Sequence, residues 1–98
     1  MYVIRDVFRC KPGHSRSVAE KFKNSLSFME KMKGFKSGRV LLDAVGDYWT
    51  VVLESEVESL ADFEAEMSTY ATDPQIRDTV KGYMEEVERG HREIFRIV

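Results

Sequence analysis

Ninety-eight residues suffice for one domain with one core and are too few for two. The chain is 43% hydrophobic and 33% charged, and its apolar runs are only a few residues long, which excludes the disordered and membrane-spanning classes. Net charge is −2, split between a basic half (residues 1–49, ten Lys/Arg against five Asp/Glu) and an acidic half (residues 50–98, five against twelve), and no aromatic-rich recognition motif accompanies the basic residues, so nucleic acid is not an expected partner.

A single cysteine cannot form an internal disulfide, and no Cys/His cluster has metal-ligand spacing. Arg5 and Asp6 interrupt the first apolar stretch, so no signal peptide is expected. These features predict one cytoplasmic domain over residues 1–98, with no cofactor, no metal and no membrane partner.

The first strand alternates. Tyr2, Ile4, Phe8 and Cys10 fall on one side and Val3, Arg5, Val7 and Arg9 on the other, but Asp6 falls on the apolar side. Lys11-Pro12-Gly13 ends the extended segment, since proline fixes its backbone and glycine permits the turn. A helix follows, with Val18, Phe22, Leu26, Met29 and Met32 at helical spacing, Ser17 and Glu20 as a capping box (Ser15 being the alternative cap), and Gly34 as the closing residue.

Residues 35–56 carry two β-branched or aromatic runs around Val45-Gly46-Asp47, which reads as a hairpin. A tight turn centred on Gly46-Asp47 predicts a register in which paired residue numbers sum to 93, setting Val40 against Leu53 and Leu42 against Val51 on one face. Leu41 against Val52 and Arg39 against Glu54 fall on the other, opposite charges meeting across the strands. Ser59 with Asp62 starts a helix bearing Leu60, Phe63, Met67 and Tyr70. Asp73-Pro74 interrupts it and caps a second piece striped with Ile76, Val80, Met84 and Val87, which Gly90 ends before a last strand over residues 92–98.

This order predicts an α+β ferredoxin-like βαββαβ sandwich with a split second helix and an antiparallel four-stranded sheet. Helices on one side leave Val3, Val7, Leu41, Val52 and Ile94 on a bare sheet face, more apolar surface than a monomer usually exposes. A second copy is the simplest cover, giving a homodimer closed as a dimeric α+β barrel.

Tyr-Val-Ile-Arg at residues 2–5, Lys11-Pro12-Gly13 before a helix, the Gly46 hairpin, and Ser-Leu-Ala-Asp-Phe-Glu-Ala at 59–65 followed by the Asp73-Pro74 break make the whole chain resemble NIPSNAP-like proteins and, more broadly, antibiotic biosynthesis monooxygenase domains. The resemblance implies a dimeric barrel and, in the monooxygenase branch, a pocket between helices and sheet where small aromatics react with oxygen without metal or flavin. The haem-degrading relatives' asparagine on the first strand and later helical Trp and His are not matched, because this chain offers Asp6 there and residues 58–88 contain neither Trp nor His.

The candidate site follows from these placements. Asp6 points between sheet and helices, where an unpartnered carboxylate costs several kcal/mol; it is a general base for a phenolic ligand or a satisfied buried acid bonded to a neighbouring Tyr, His or Lys. Trp49, expected to begin the third strand on the helix side, would wall a flat pocket or fill core, as would Phe22, Phe63, Tyr70 and Tyr83. Tyr48 and Met67 are also candidates for that layer. His91 is expected near Cys10, assisting at the pocket mouth, and His14 at the exposed helix start. Arg5, Arg9, Arg39, Arg92 and Arg96 are expected on the dimer-facing side with only Asp43 and Glu54 to balance them, so a partner subunit, the solvent rim or a bound anion must neutralise them. The functional expectation is a small hydrophobic or aromatic ligand, with cofactor-independent oxygenation or a non-enzymatic dimerisation or ligand-sensing role as the alternatives.

Overall fold

The computed structural model describes residues 1–98 as β1 (Tyr2–Cys10), α1 (Ser15–Met29), β2 (Phe35–Leu42), β3 (Thr50–Val57), α2 (Leu60–Thr72), α3 (Pro74–Thr79), α4 (Tyr83–Glu86) and β4 (Val87–Arg96). The strands form one antiparallel sheet in the order β2-β3-β1-β4. This is the expected ferredoxin-like α+β arrangement, with the helices on one face.

Period-2 alternation decides what each face holds. On the helix side, Ile4 and Cys10 of β1 and Val51, Leu53 and Val57 of β3 are buried, and α1 lays Val18, Ala19 and Phe22 over them. A smaller cluster of Ile4, Val57 and Phe63 anchors α2. Full burial of each of the Val, Leu, Ile and Phe side chains among them stabilises the fold by about 1.5–3 kcal/mol relative to exposure. The β2–β3 register is the predicted one, Val40 opposite Leu53, Leu41 opposite Val52 and Arg39 opposite Glu54. The connection is wider than a tight turn, however. The strands stop at Leu42 and Thr50, and Thr50 N–H donates to Asp43 Oδ1 at 2.9 Å to close the loop.

Caps explain the helix boundaries. Ser59 Oγ accepts from Asp62 N–H at 3.1 Å, and Asp73 Oδ1 accepts from the amides of Gln75 and Ile76 at 2.8 and 3.2 Å with Pro74 in the first turn, both as the sequence predicts. The N-terminus of α1 differs: the helix begins at Ser15 behind His14, without a side-chain cap, and Ser17 bonds Glu86 instead of its own backbone. α1 also ends at Met29, so Met32 and Gly34 belong to the turn before β2.

The acidic half departs further from expectation. Its last helix does not run to Gly90. The helical path breaks after Thr79, Gly82 takes φ +89°, α4 is a single turn, and β4 begins at Val87. Met84 is consequently 75% exposed and Gly90 lies inside a strand. The phase of β4 is also opposite to the prediction. Tyr2 pairs with Arg96, Ile4 with Ile94, Asp6 with Arg92 and Phe8 with Gly90, which puts Arg92, Ile94 and Arg96 on the helix side and His91, Glu93 and Phe95 on the bare side.

Candidate functional site

α1 covers β2 and β3, α2 reaches β3, and of the helices only the single turn α4 packs closely on β4. The helix side of β4 is therefore incompletely roofed. A groove of about 450 Å³ opens there, with Phe8 and Gly90 in its floor, Tyr83 and Met84 on one wall, and Asp6 and Arg92 at one end. Gly90 makes the room. A methyl group on it would lie 3.0 Å from the Val7 carbonyl oxygen and 3.3 Å from the Phe8 ring, tighter than ordinary contact.

Asp6 is 8% exposed and sits on the helix face, as its parity predicts. Its partner is Arg92, the residue directly opposite on β4, whose Nε donates to Asp6 Oδ1 at 2.5 Å. That charge-assisted bond answers the cost of burying the carboxylate. The same guanidinium lies 5.0 Å above the Phe63 ring and within 3.4 Å of Met67 Sδ, so Arg92 joins α2, β1 and β4 at one point. The predicted partners Tyr, His and Lys are not used.

The predicted ring-holding residues divide. Tyr83 meets Phe22 and Phe8 with ring centroids 5.2 and 6.2 Å apart, and Phe8 meets Phe22 at 4.8 Å, so these three form one aromatic wall with Phe22 fully buried behind it. Tyr70 is turned toward α1, where its hydroxyl donates to Ser25 Oγ at 3.1 Å; burial pushes its phenol up to about 12 against the opposing effect of that bond, which keeps it a neutral donor. Phe63 reaches the site through Arg92.

Trp49 and His91 lie elsewhere. Trp49 precedes β3 rather than beginning it, and its backbone takes φ +63°, the left-handed region rare for a bulky residue, where its carbonyl accepts the Cys10 amide at 2.8 Å. The residue is 38% exposed and borders a separate open hollow with Tyr48, Leu42, Gly13 and Arg16. His91 pairs with Val7 on the bare face, and it borders both the groove and a hollow on that face. Cys10 lies opposite Val87, is fully buried, and has its thiol pushed up by burial and by Glu86, so no Cys–His pair exists. His14 is exposed, as predicted, and its Nδ1 lies 3.0 Å from Glu86 Oε2.

Residues missed from the sequence are Arg92 as the partner of Asp6, Phe8 and Met84 as lining, and Gly90 as the space-maker. One signal could have found three of them: a β1–β4 register whose residue numbers sum to 98.

The bare face is ordered in rows across β2, β3, β1 and β4. Arg39, Glu54, Arg5 and Glu93 form an alternating ladder with contacts of 2.6, 3.8 and 3.6 Å. Beside it runs an apolar row of Leu41, Val52 and Val7 ending at His91. The arginine excess is thus smaller than predicted. Arg92 and Arg96 are on the other face, Arg96 stacked 5.8 Å from the Tyr2 ring, and Glu93 adds a carboxylate. No helix is long and apolar enough to cross a membrane.

No protein-family model matches the sequence, and neither does any curated protein. Solved structures do match over nearly the whole length. A NIPSNAP domain protein from Burkholderia xenovorans superposes with a TM-score of 0.79 at 14% identity, covering 100% of this chain and 95% of that one. A NIPSNAP family protein from Agrobacterium tumefaciens gives 0.78 at 12% identity, covering 99% and 92%. An antibiotic biosynthesis monooxygenase-like protein from Chloroflexus aurantiacus gives 0.76 at 17% identity, again covering 99% and 92%. At these identities the likeness establishes a shared fold.

Proposed function

We propose that the protein is a homodimer that binds a small hydrophobic or aromatic compound in the groove over β4, one copy in each subunit. The single observation that carries this reading is the open groove against Asp6, floored by Phe8 and walled by Tyr83 and Met84. An aromatic ring fits between Tyr83 and the Asp6–Arg92 pair, with its polar edge toward the pair.

For a phenolic ligand this arrangement supports cofactor-independent oxygenation. Asp6 would take the phenolic proton and the Arg92 guanidinium would face the phenolate, whose ring would give up electrons to O2 and form a C–O bond as a ring hydroperoxide. Loss of the ring C–H proton with O–O cleavage then releases the quinone and water, the substrate supplying all the electrons. Phe8 and Tyr83 would hold the ring, while Tyr70, as a neutral donor, stays in the wall. A ligand-sensing module without turnover is the second reading, favoured by the hold of Arg92 on the Asp6 carboxylate.

Titrating a panel of phenols and hydroquinones by NMR, with oxygen uptake measured in parallel, separates the two. Turnover lost at least tenfold in Asp6→Asn with binding retained supports the oxygenase. Binding without turnover in the wild-type protein supports the module, and shifts that avoid Phe8, Tyr83 and Gly90 defeat the groove.

A further inference from the structure

We propose that Arg9 and Arg89 form an oxyanion site on the bare face of the sheet, taking the carboxylate or phosphate group of a small soluble ligand. The two are directly opposed across β1 and β4 and point to the same face. Like charges set opposite each other in a strand pair are destabilising. Neither has a carboxylate within 4.0 Å, whereas every charge in the row of Arg39, Glu54, Arg5 and Glu93, on the far side of the apolar row, lies within that distance of an opposite one. The two cations that the fold leaves open on this face thus stand together at one corner, far from Glu56, which lies without an ion pair beside Val3.

That corner is a hollow rather than a flat surface. It has a volume of about 350 Å³, ample for a phosphate, and is lined by Arg9, Arg89, His91 and Thr50. Asp43 and Asp47 also border it. Asp43 spends Oδ1 on the Thr50 amide, and Asp47 stands in the loop, its carbonyl accepting from the Thr50 hydroxyl at 2.9 Å. The ladder shifts register between Arg9 and Cys10, and such irregularities re-aim side chains at strand ends. Two planar guanidinium groups lining one hollow suit an oxyanion, to which each can donate two bonds.

The site stands on one chain and does not depend on the groove over β4 or on a second copy, which would only enclose it. Inorganic phosphate and acetate, titrated separately into ¹⁵N-labelled protein at constant ionic strength set with chloride, distinguish the two sources of the oxyanion. Shifts confined to Arg9, Thr50, Arg89 and His91, weakened at least tenfold in Arg9→Gln/Arg89→Gln and unchanged in Arg39→Gln, are expected. Absence of saturable shifts with either anion, or equal binding by the double variant, would overturn the site. Sedimentation of the same samples reads the dimer separately.

Discussion

Glu66 is the residue most at odds with its surroundings. It lies 3% exposed on α2 between Asp62 and Tyr70, one turn from each, and its Oε2 has no hydrogen-bond partner. Burial first, and then the charge of Asp62, raises it from 4.5 to about 7. The folded state therefore holds a proton that the unfolded chain has released between about pH 4.5 and 7. Stability falls as pH rises through that window and is level above it. Glu66→Gln should abolish this slope and stabilise the protein at pH 8 by about 1–3 kcal/mol, read by urea denaturation at pH 5 and pH 8. An unchanged slope would show that Glu66 ionises freely in the fold. Glu86 behaves in the opposite sense. Although burial raises it, hydrogen bonds from Lys21, His14 and Ser17 lower it to about 2, joining α1 to α4. Its contribution is complete above about pH 4.5 and is lost as pH falls through 2, so Glu86→Gln should cost about 1 kcal/mol at pH 7, after screening at its solvated side, roughly half that at pH 3 and little below pH 2.

At the scale of elements, β4 decides whether the groove exists. It is floored by a strand whose helix side alternates Gly90, Arg92 and Ile94, so a side chain at position 90 enters the space above Phe8. Gly90→Val should leave the helical content unchanged while weakening aromatic ligand binding at least tenfold, measured by circular dichroism and NMR titration; retained affinity would place the ligand elsewhere. The same strand marks the limit of what the sequence discloses. The hairpin register is legible because Val40, Leu42, Val51 and Leu53 alternate cleanly and Arg39 meets Glu54. Asp6 is legible as an acid on an apolar face that needs a partner. In β4, Ile94 and Phe95 are adjacent and both about half exposed, so alternation gives two phases of equal merit and does not by itself set Arg92 on the face of Asp6. Trp49 eluded the reading for a different reason: its left-handed backbone is a consequence of loop closure, which side-chain periodicity does not report.

For the whole molecule, the question is what covers the face opposite the helices. Leu41, Val7 and Val52 form a continuous apolar row there, Phe95 is 51% exposed nearby, and the adjacent ladder sets its opposite charges against each other within one chain, with only the buried Arg5 Nε lacking a hydrogen bond. Because Arg39, Glu54, Arg5 and Glu93 meet opposite charges within the subunit, covering that row buries no unpaired ion; Arg9 and Arg89, unpaired at one corner of the face, are the charges that association must leave to solvent or to a bound anion. The apolar row then supplies the attraction, and a second copy presents the same row in return. Sedimentation at low micromolar concentration should give a dimer. Val7→Glu places an unpaired carboxylate at the centre of that row and should weaken the dimer at least roughly 30-fold, equivalent to about 2 kcal/mol, while leaving the helix-side core and its thermal transition recognisable. Leu60→Glu, a comparable change at an exposed position on α2, should leave the dimer intact. If both variants sediment like the wild-type protein, the subunits meet through another surface; if the wild-type chain is a monomer, the apolar row is left to solvent and the closed barrel is lost as its assembly.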